Sequence, residues 1–356
     1  MTAKPLVSIC LPTYNRAHYL RQSLRTICAQ TYRPLEILIS DNASTDETED
    51  VCRQWAEKDD RIRYIRQPGN IGLYGNHNFC IREGRGDFLC LFHDDDQHDA
   101  ELVSRCVDFL LSRPTVGMVC SDWRLIDDDG RVVGTRRHRV QSVMSGRDYT
   151  EKTLKAGRSF ICTPGTVIRR SALGDIRFHE EGPLGFADFA IWFRIAERYS
   201  VGHIPEILWA YRQHKGSLSR RTIHSMTSDY EEVLMAYCKD YLARWPDRVR
   251  QVKRWQKMIH RFLFWALVYE VCLNVRDVSF EASEDDRGKT LFERMSYRLT
   301  ASELQEVRAG LLRHQQGIRQ PLVRWGLEWL LEWHLTWPLS QMARYPEPLR
   351  AFLGMK

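Results

Sequence analysis

Short apolar runs alternate with stretches of helical periodicity through the first 120 residues, and few folds admit that order. The runs Leu6–Leu11, Leu35–Ile39, Arg61–Ile65, Phe88–Phe92 and Val116–Cys120 are predicted strands. Between them, Arg16–Gln30, Thr45–Trp55, Gly75–Arg82 and Glu101–Leu111 are predicted helices. The first carries Leu20, Leu24, Ile27 and Cys28 on one face, and the second is opened by a Ser/Thr/Asp cluster suited to capping. Strand–helix–strand order of this kind predicts an α/β domain with a doubly wound, mostly parallel sheet and flanking helices. Ligands of such sheets bind beyond the carboxyl ends of the strands, where the strand order reverses. The polar clusters fall at such ends: PTYN after the first strand, SDNAS after the second and HDDD after the fourth.

The HDDD cluster carries the most chemistry. Asp94, Asp95 and Asp96 follow an apolar run that reads as an interior strand, so they repel one another unless a positive group sits among them. A hard divalent cation takes oxygen ligands and shares them with phosphates, which makes a metal–diphosphate site the leading expectation. A solvated loop of acids capping the next helix is the bland alternative.

Composition narrows the classes further. Apolar residues at 43% and charged ones at 28% are those of an ordinary globular protein. The longest apolar stretch, Phe262–Tyr269, is too short to span a bilayer. The first residues lack the order of a signal peptide, and the ten cysteines show no CxxC spacing for zinc or a disulfide frame. A cytoplasmic protein is therefore expected. From Arg212 to Arg261 there are twelve Lys/Arg against five Asp/Glu, an excess that suits an anionic partner. No nucleic-acid reader motif accompanies it.

Residues 121–220 read as an α+β continuation, with a hairpin turn at Asp127–Gly130 and a helix over Ala187–Tyr199. Residues 221–356 read as a mainly helical second region, for acceptor, membrane-surface or oligomer contacts. There Val252, Trp255, Ile259, Phe262, Ala266 and Tyr269 share a helix face, and Trp325, Trp329, Trp333 and Trp337 recur every fourth residue. That Trp stripe fits a helix–helix contact or, with the basic helix upstream, peripheral binding at the inner face of a membrane.

Six segments, VSICLPTYNR, ISDNASTDET, NIGLYGNHN, DFLCLFHDDD, GFADFAIWFRIA and YRQHKGSLS, resemble in this order the inverting family-2 glycosyltransferases of GT-A fold. The resemblance runs from Leu6 to Ser219, so residues 1–220 are expected to form the transferase domain. It implies transfer of a sugar from a nucleotide-diphosphate donor to an acceptor hydroxyl, on a saccharide or lipid-linked saccharide, in cell-surface polysaccharide or glycan synthesis. It assigns Pro12, Thr13, Tyr14, Asn15, Asp41, Gly72, Asn78, Asp94 and Asp95 to the nucleotide sugar. Mn²⁺ or Mg²⁺ would be held by Asp94, Asp95, Asp96 and His214, with His93 standing behind them. Asp188 would be the base that takes the acceptor proton, Glu180 and Glu181 its substitutes, and Trp192 a packing residue or a platform for a sugar ring. Arg212 and Lys215 would add positive charge beside His214 for the diphosphate, and Arg169 and Arg170 either bind phosphate or pair with acids. A nucleotidyltransferase on a similar sheet and a catalytically silent sugar-nucleotide-binding or scaffold protein are the competing readings. A homo-oligomer is compatible with all of them.

Overall fold

The computed structural model describes residues 4–156, 159–180, 187–214 and 223–259. The chain divides into two compact units, Met1–Arg220 and Arg221–Lys356.

The first unit is a sheet wrapped by helices. In chain order it contains β1 (Val7–Thr13), α1 (Ala17–Cys28), β2 (Leu35–Asp41), α2 (Thr48–Ala56), β3 (Ile62–Arg66), α3 (Leu73–Glu83), β4 (Phe88–Leu91) and a short β5 (Gln97–His98). There follow α4 (Leu102–Leu111), β6 (Val116–Ile126), β7 (Val132–Arg136), β8 (Val143–Met144), α5 (Gly146–Ala156), β9 (Thr166–Arg169), α6 (Arg170–Leu173), α7 (Ala187–Ala196) and β10 (Ser200–Arg212). The strands lie in the order β3-β2-β1-β4-β9-β6-β10-β5, with β7 beside β6 and β8 beside β10.

The sheet is mixed. β3, β2, β1 and β4 run parallel, as the alternation predicts. β6 does not join them directly: β9 is inserted antiparallel between β4 and β6, and β10 then pairs parallel with β6. The strand order reverses at β1, which has β2 on one side and β4 on the other. Pro12 does not end β1. Pairing with β4 ends at Cys10–Leu91, so a residue without an N–H costs no ladder bond on that side, and the strand continues to Thr13.

Burial follows the pleat. Val7, Ile9, Leu11, Ile37, Ile39, Phe88 and Cys90 form one core with Leu20, Leu24 and Ile27 of α1 and Val103, Val107 and Leu110 of α4. α3 packs against β1 and β2, and the Cys10 thiol donates to the Cys80 carbonyl there. Each such aliphatic side chain contributes about 1.5–3 kcal/mol on burial. The cysteines described are free, and the most deeply buried act as small apolar fillers.

In the second unit, α8 (Ile223–Arg244) is followed by a single 3₁₀ turn at Pro246–Arg248 and a helical stretch, 249–259. Tyr230, Leu234, Tyr237, Cys238 and Tyr241 are buried at helical spacing, and Tyr237 and Tyr241 pack on Trp255 with ring centroids 6.0 and 4.9 Å apart. Val252, Trp255 and Ile259 are buried as their shared face predicts; Phe262, Ala266, Tyr269 and the Trp325–Trp337 stripe lie outside the described residues. No helix among the described residues is long and apolar enough to cross a membrane.

Candidate active site

At the strand-order reversal, Thr13 ends β1 and Asp94 follows β4, and the Thr13 hydroxyl donates to the Asp94 carboxylate at 2.6 Å. The next two acids turn elsewhere. Asp95 accepts from His214 Nε2 at 2.9 Å, just past the end of β10. Asp96 accepts the backbone N–H of Arg212 on Oδ1 at 2.8 Å. Its Oδ2 is buried, and no hydrogen-bond donor among the described residues reaches it; His93 Nδ1 stands 3.8 Å away.

Charge within the cluster is unbalanced. Burial, reinforced by the charge of Asp95, pushes the carboxyls of Asp94 and Asp96 above their ordinary range. Burial acts on Asp95 in the same sense, but the His214 hydrogen bond, His93 and Arg16 outweigh it and hold Asp95 low. An orphaned buried carboxylate oxygen, in a cluster where two of the three carboxyls are pushed up by burial and by a neighbouring charge, is what a cation site shows before a cation balances it. One ligand atom each from His93, Asp95 and Asp96 lies within 4.8 Å of the others, close to the ~4 Å that spans an octahedral Mg²⁺-sized site. The residues present therefore fit a divalent ion.

Beside this cluster opens a cavity of about 490 Å³, lined on one side by Pro12, Thr13, Tyr14 and Arg16 and on another by Thr163 and Asp188. Asp188 lies in the first turn of α7. Thr163 Oγ1 and Trp192 Nε1 both donate to its Oδ2, at 3.0 and 3.3 Å, and so fix the rotation of the carboxylate. Burial raises its pKa; those two hydrogen bonds act against the rise without cancelling it. Part of the remaining wall is aromatic, with Phe178 stacked on Tyr74 at a centroid distance of 5.1 Å and 4° between planes. His77 lines the same wall. Its Nδ1 lies 2.9 Å from the Leu73 carbonyl, which can only accept, so the ring donates through Nδ1 and keeps Nε2 as an acceptor. Burial, then the neighbouring His93, holds its pKa down at about 4, so the ring is neutral at pH 7.

Several expected site residues take other positions. Asp41 is fully buried off the cavity, accepting from Ser44 N–H and the Tyr64 hydroxyl, so the expected contact with a base is not in this geometry. Asn15, at a positive φ of 51°, spends its side-chain oxygen on the Thr45 N–H. Gly72, at φ 79°, is the residue before α3, and no contact with the cavity is formed there. Asn78 is committed to Phe178, donating to its carbonyl and accepting from its N–H. Asn76 reaches the cavity wall, but its amide is taken by Ser40. The cation cluster contains His93 in place of Asp94, because Asp94 is turned toward Thr13; His214 orients Asp95 from behind. Trp192 is wholly buried and cannot stack on a sugar. Glu180 accepts from Asn78, and Glu181 and Lys215 lie outside the described residues. Arg169 and Arg170 serve backbone carbonyls, those of Val116 and Leu110 and those of Gly86, Ile81 and Gly84 respectively. Asp46 lies one residue ahead of Glu47, the N-cap of α2; it accepts from Thr48 N–H and from Ala17 N–H at the head of α1.

Arg16, His77, Thr163 and Tyr211 also line the cavity and were not singled out by sequence. For Arg16 a signal existed, because it directly follows PTYN; Thr163 is brought to Asp188 only by the tertiary fold.

A sheet of this order, with acids after β4 and a carboxylate at the head of α7 lining one cavity, defines a GT-A-type domain. Residues 8–177 match the family model described as glycosyl transferase family 2, and the domain they form belongs to that family. A similar sequence is the GalNAc(5)-diNAcBac-PP-undecaprenol beta-1,3-glucosyltransferase of Campylobacter jejuni, 29% identical over 188 residues, which are 50% of this chain and 56% of that protein. The fold is shared with TarS of S. aureus, with a TM-score of 0.59 and 15% identity over 92% of this chain and 53% of that one. It is also shared with the mannosyltransferase PcManGT of Pyrobaculum calidifontis, solved with GDP-Man and Mn2+, with a TM-score of 0.55 and 18% identity over 88% of each chain.

Proposed function

We propose that this chain is a divalent-metal-dependent, inverting glycosyltransferase that moves a sugar from a nucleoside-diphosphate donor to an acceptor hydroxyl, in the building of a cell-surface polysaccharide or glycan. The observation that carries the reading is the sharing of one cavity by His93, Asp94, Asp95 and Asp188. Pro12, Thr13 and Tyr14 hold the nucleoside. His93, Asp95 and Asp96 hold Mn²⁺ or Mg²⁺, which when bound neutralises the diphosphate as it leaves. Arg16 adds a fixed positive charge on the same side. Asp188 takes the proton of the acceptor hydroxyl as its oxygen bonds to the anomeric carbon and the diphosphate departs from the opposite face. His77 Nε2 accepts a hydrogen bond from a hydroxyl of one of the two sugars. The acceptor is a saccharide, free or carried on a lipid diphosphate, as in the name of the Campylobacter relative.

Thermal melting against a panel of nucleoside diphosphates, with and without Mn²⁺, tests the donor half. A ligand at 100 times its Kd that binds only the folded state stabilises it by about 2.7 kcal/mol. One nucleotide should stand out, and only with the cation present; a flat panel would sink the reading.

Asp188 predicts the pH profile. A base must be ionised, and burial raises this carboxyl, so the acid limb of kcat/KM should lie above the ordinary carboxylate range. Thr163→Val removes a hydrogen bond that favours the ionised form. The limb should then move to still higher pH, with a rate loss at neutral pH on the order of 10-fold, equivalent to one lost hydrogen bond to a charged group. An unmoved limb would take Asp188 out of the base role.

A further inference from the structure

Arg212 stands in the segment expected to bring positive charge to the diphosphate, yet its side chain does not reach the cavity. It is 1% exposed. Its guanidinium fans over acceptors that belong to the protein: Nε to the Asp95 carbonyl at 2.7 Å, one terminal nitrogen to the carbonyls of Asp127 and Asp128 at 3.1 and 2.8 Å, the other to Gln22 Oε1 at 2.9 Å. Its backbone N–H supplies the hydrogen bond to Asp96. The guanidinium carbon also lies 5.5 Å from the ring of Tyr19. That ring is tilted against His214 at 4.5 Å, and its hydroxyl donates to Asp128. The turn Asp127–Gly130 between β6 and β7 is thereby joined to the acid cluster.

We propose that Arg212, with Tyr19 and the Asp127–Gly130 turn, is a brace that positions Asp95, Asp96 and His214 for the divalent cation. This rests on the reading of the cluster as a cation site. Arg212 is a positioning residue: it fixes the backbone that carries two of the acids, and through Tyr19 it fixes the imidazole that orients the first of them. The turn acids act through their carbonyls and through the Tyr19 hydroxyl, and bind no ion themselves. A branched guanidinium is needed because four acceptors are served by three separate nitrogens; a lysine offers three donors on a single nitrogen and leaves buried carbonyls unserved.

The test is Mn²⁺ binding by the full-length protein without any nucleotide, read from the electron paramagnetic resonance of free Mn²⁺, with the melting temperature measured alongside. Loss of a partner behind a metal ligand weakens affinity by about 10–100-fold, which is the loss expected for Arg212→Lys. Tyr19→Leu, at a half-buried position of α1, should weaken binding several-fold with a smaller change in melting than Arg212→Lys. The double variant should lose less than the product of the two, because both act through one brace. Should folded Arg212→Lys bind Mn²⁺ as the parent does, the brace is overturned. If that variant does not fold, Tyr19→Leu decides, and parental affinity there overturns it. A parent protein that binds no Mn²⁺ would overturn the cation site and the brace together, which separates that failure from the failure of the brace alone.

Discussion

Asp188→Asn is expected to cut transfer by about 100- to 10,000-fold while the protein still binds its donor. The change keeps the shape of the side chain, and its oxygen can still accept from Thr163 and Trp192. What it removes is the basicity that the proposed mechanism uses to take the acceptor proton. Loss of a positioned general base costs about 100- to 10,000-fold in rate. Steady-state kinetics should put the whole loss in kcat, because an interaction made only in the transition state has been removed. Donor binding, followed by calorimetry with the nucleoside diphosphate and Mn²⁺, should match the parent. If the Asn variant turns over at the parental rate, the base lies elsewhere in the cavity wall.

The second large effect concerns the acids. Asp96→Asn should lower transfer by about 100-fold or more and remove the stabilisation that Mn²⁺ confers. Its effect on the metal-free protein has the opposite tendency. The Asp96 carboxyl is pushed above its ordinary range on folding, chiefly by burial and then by Asp95. A carboxyl raised on folding binds its proton more tightly in the native state, so it costs stability as pH climbs past the unfolded value. An amide mimics the neutral acid, keeps an oxygen for the Arg212 N–H and relieves the crowding. Without metal at neutral pH, the variant should melt no lower than the parent. A fall in melting temperature in the metal-free state, with the Mn²⁺ response intact, would mean that Asp96 is a structural acid.

Where sequence and structure agree, the cause is local. The α1 face of Leu20, Leu24 and Ile27 is buried because 3.6-residue spacing leaves no other use for it, and β1, β2 and β4 are buried because apolar residues dominate them. The Asp127–Gly130 hairpin follows from its turn residues in the same way. Disagreement comes from partners distant in the chain. Residues 166–169 carry no mark saying that they will run antiparallel between β4 and β6. Asp94, Asp95 and Asp96 are alike as letters; what separates them is Thr13, His214 and the Arg212 N–H, one at each acid, from 81 to 119 residues away. Asn78 reads as a sugar contact until Phe178 is found to occupy both ends of its amide, while the adjacent His77 faces the cavity. Asp41 reads as a ligand contact until Ser44 and Tyr64 are found on its carboxylate.

The insertion of β9 and the return of β10 have a consequence for biosynthesis. As the chain leaves the ribosome, β1, β2, β3 and β4 can pair early, whereas the partners of Asp95 and Asp96 arrive only with Arg212 and His214. Contacts of such span make folding slow. A nascent domain cut short anywhere before that point keeps the Thr13 bond to Asp94 but leaves Asp95 and Asp96 without the partners that orient them.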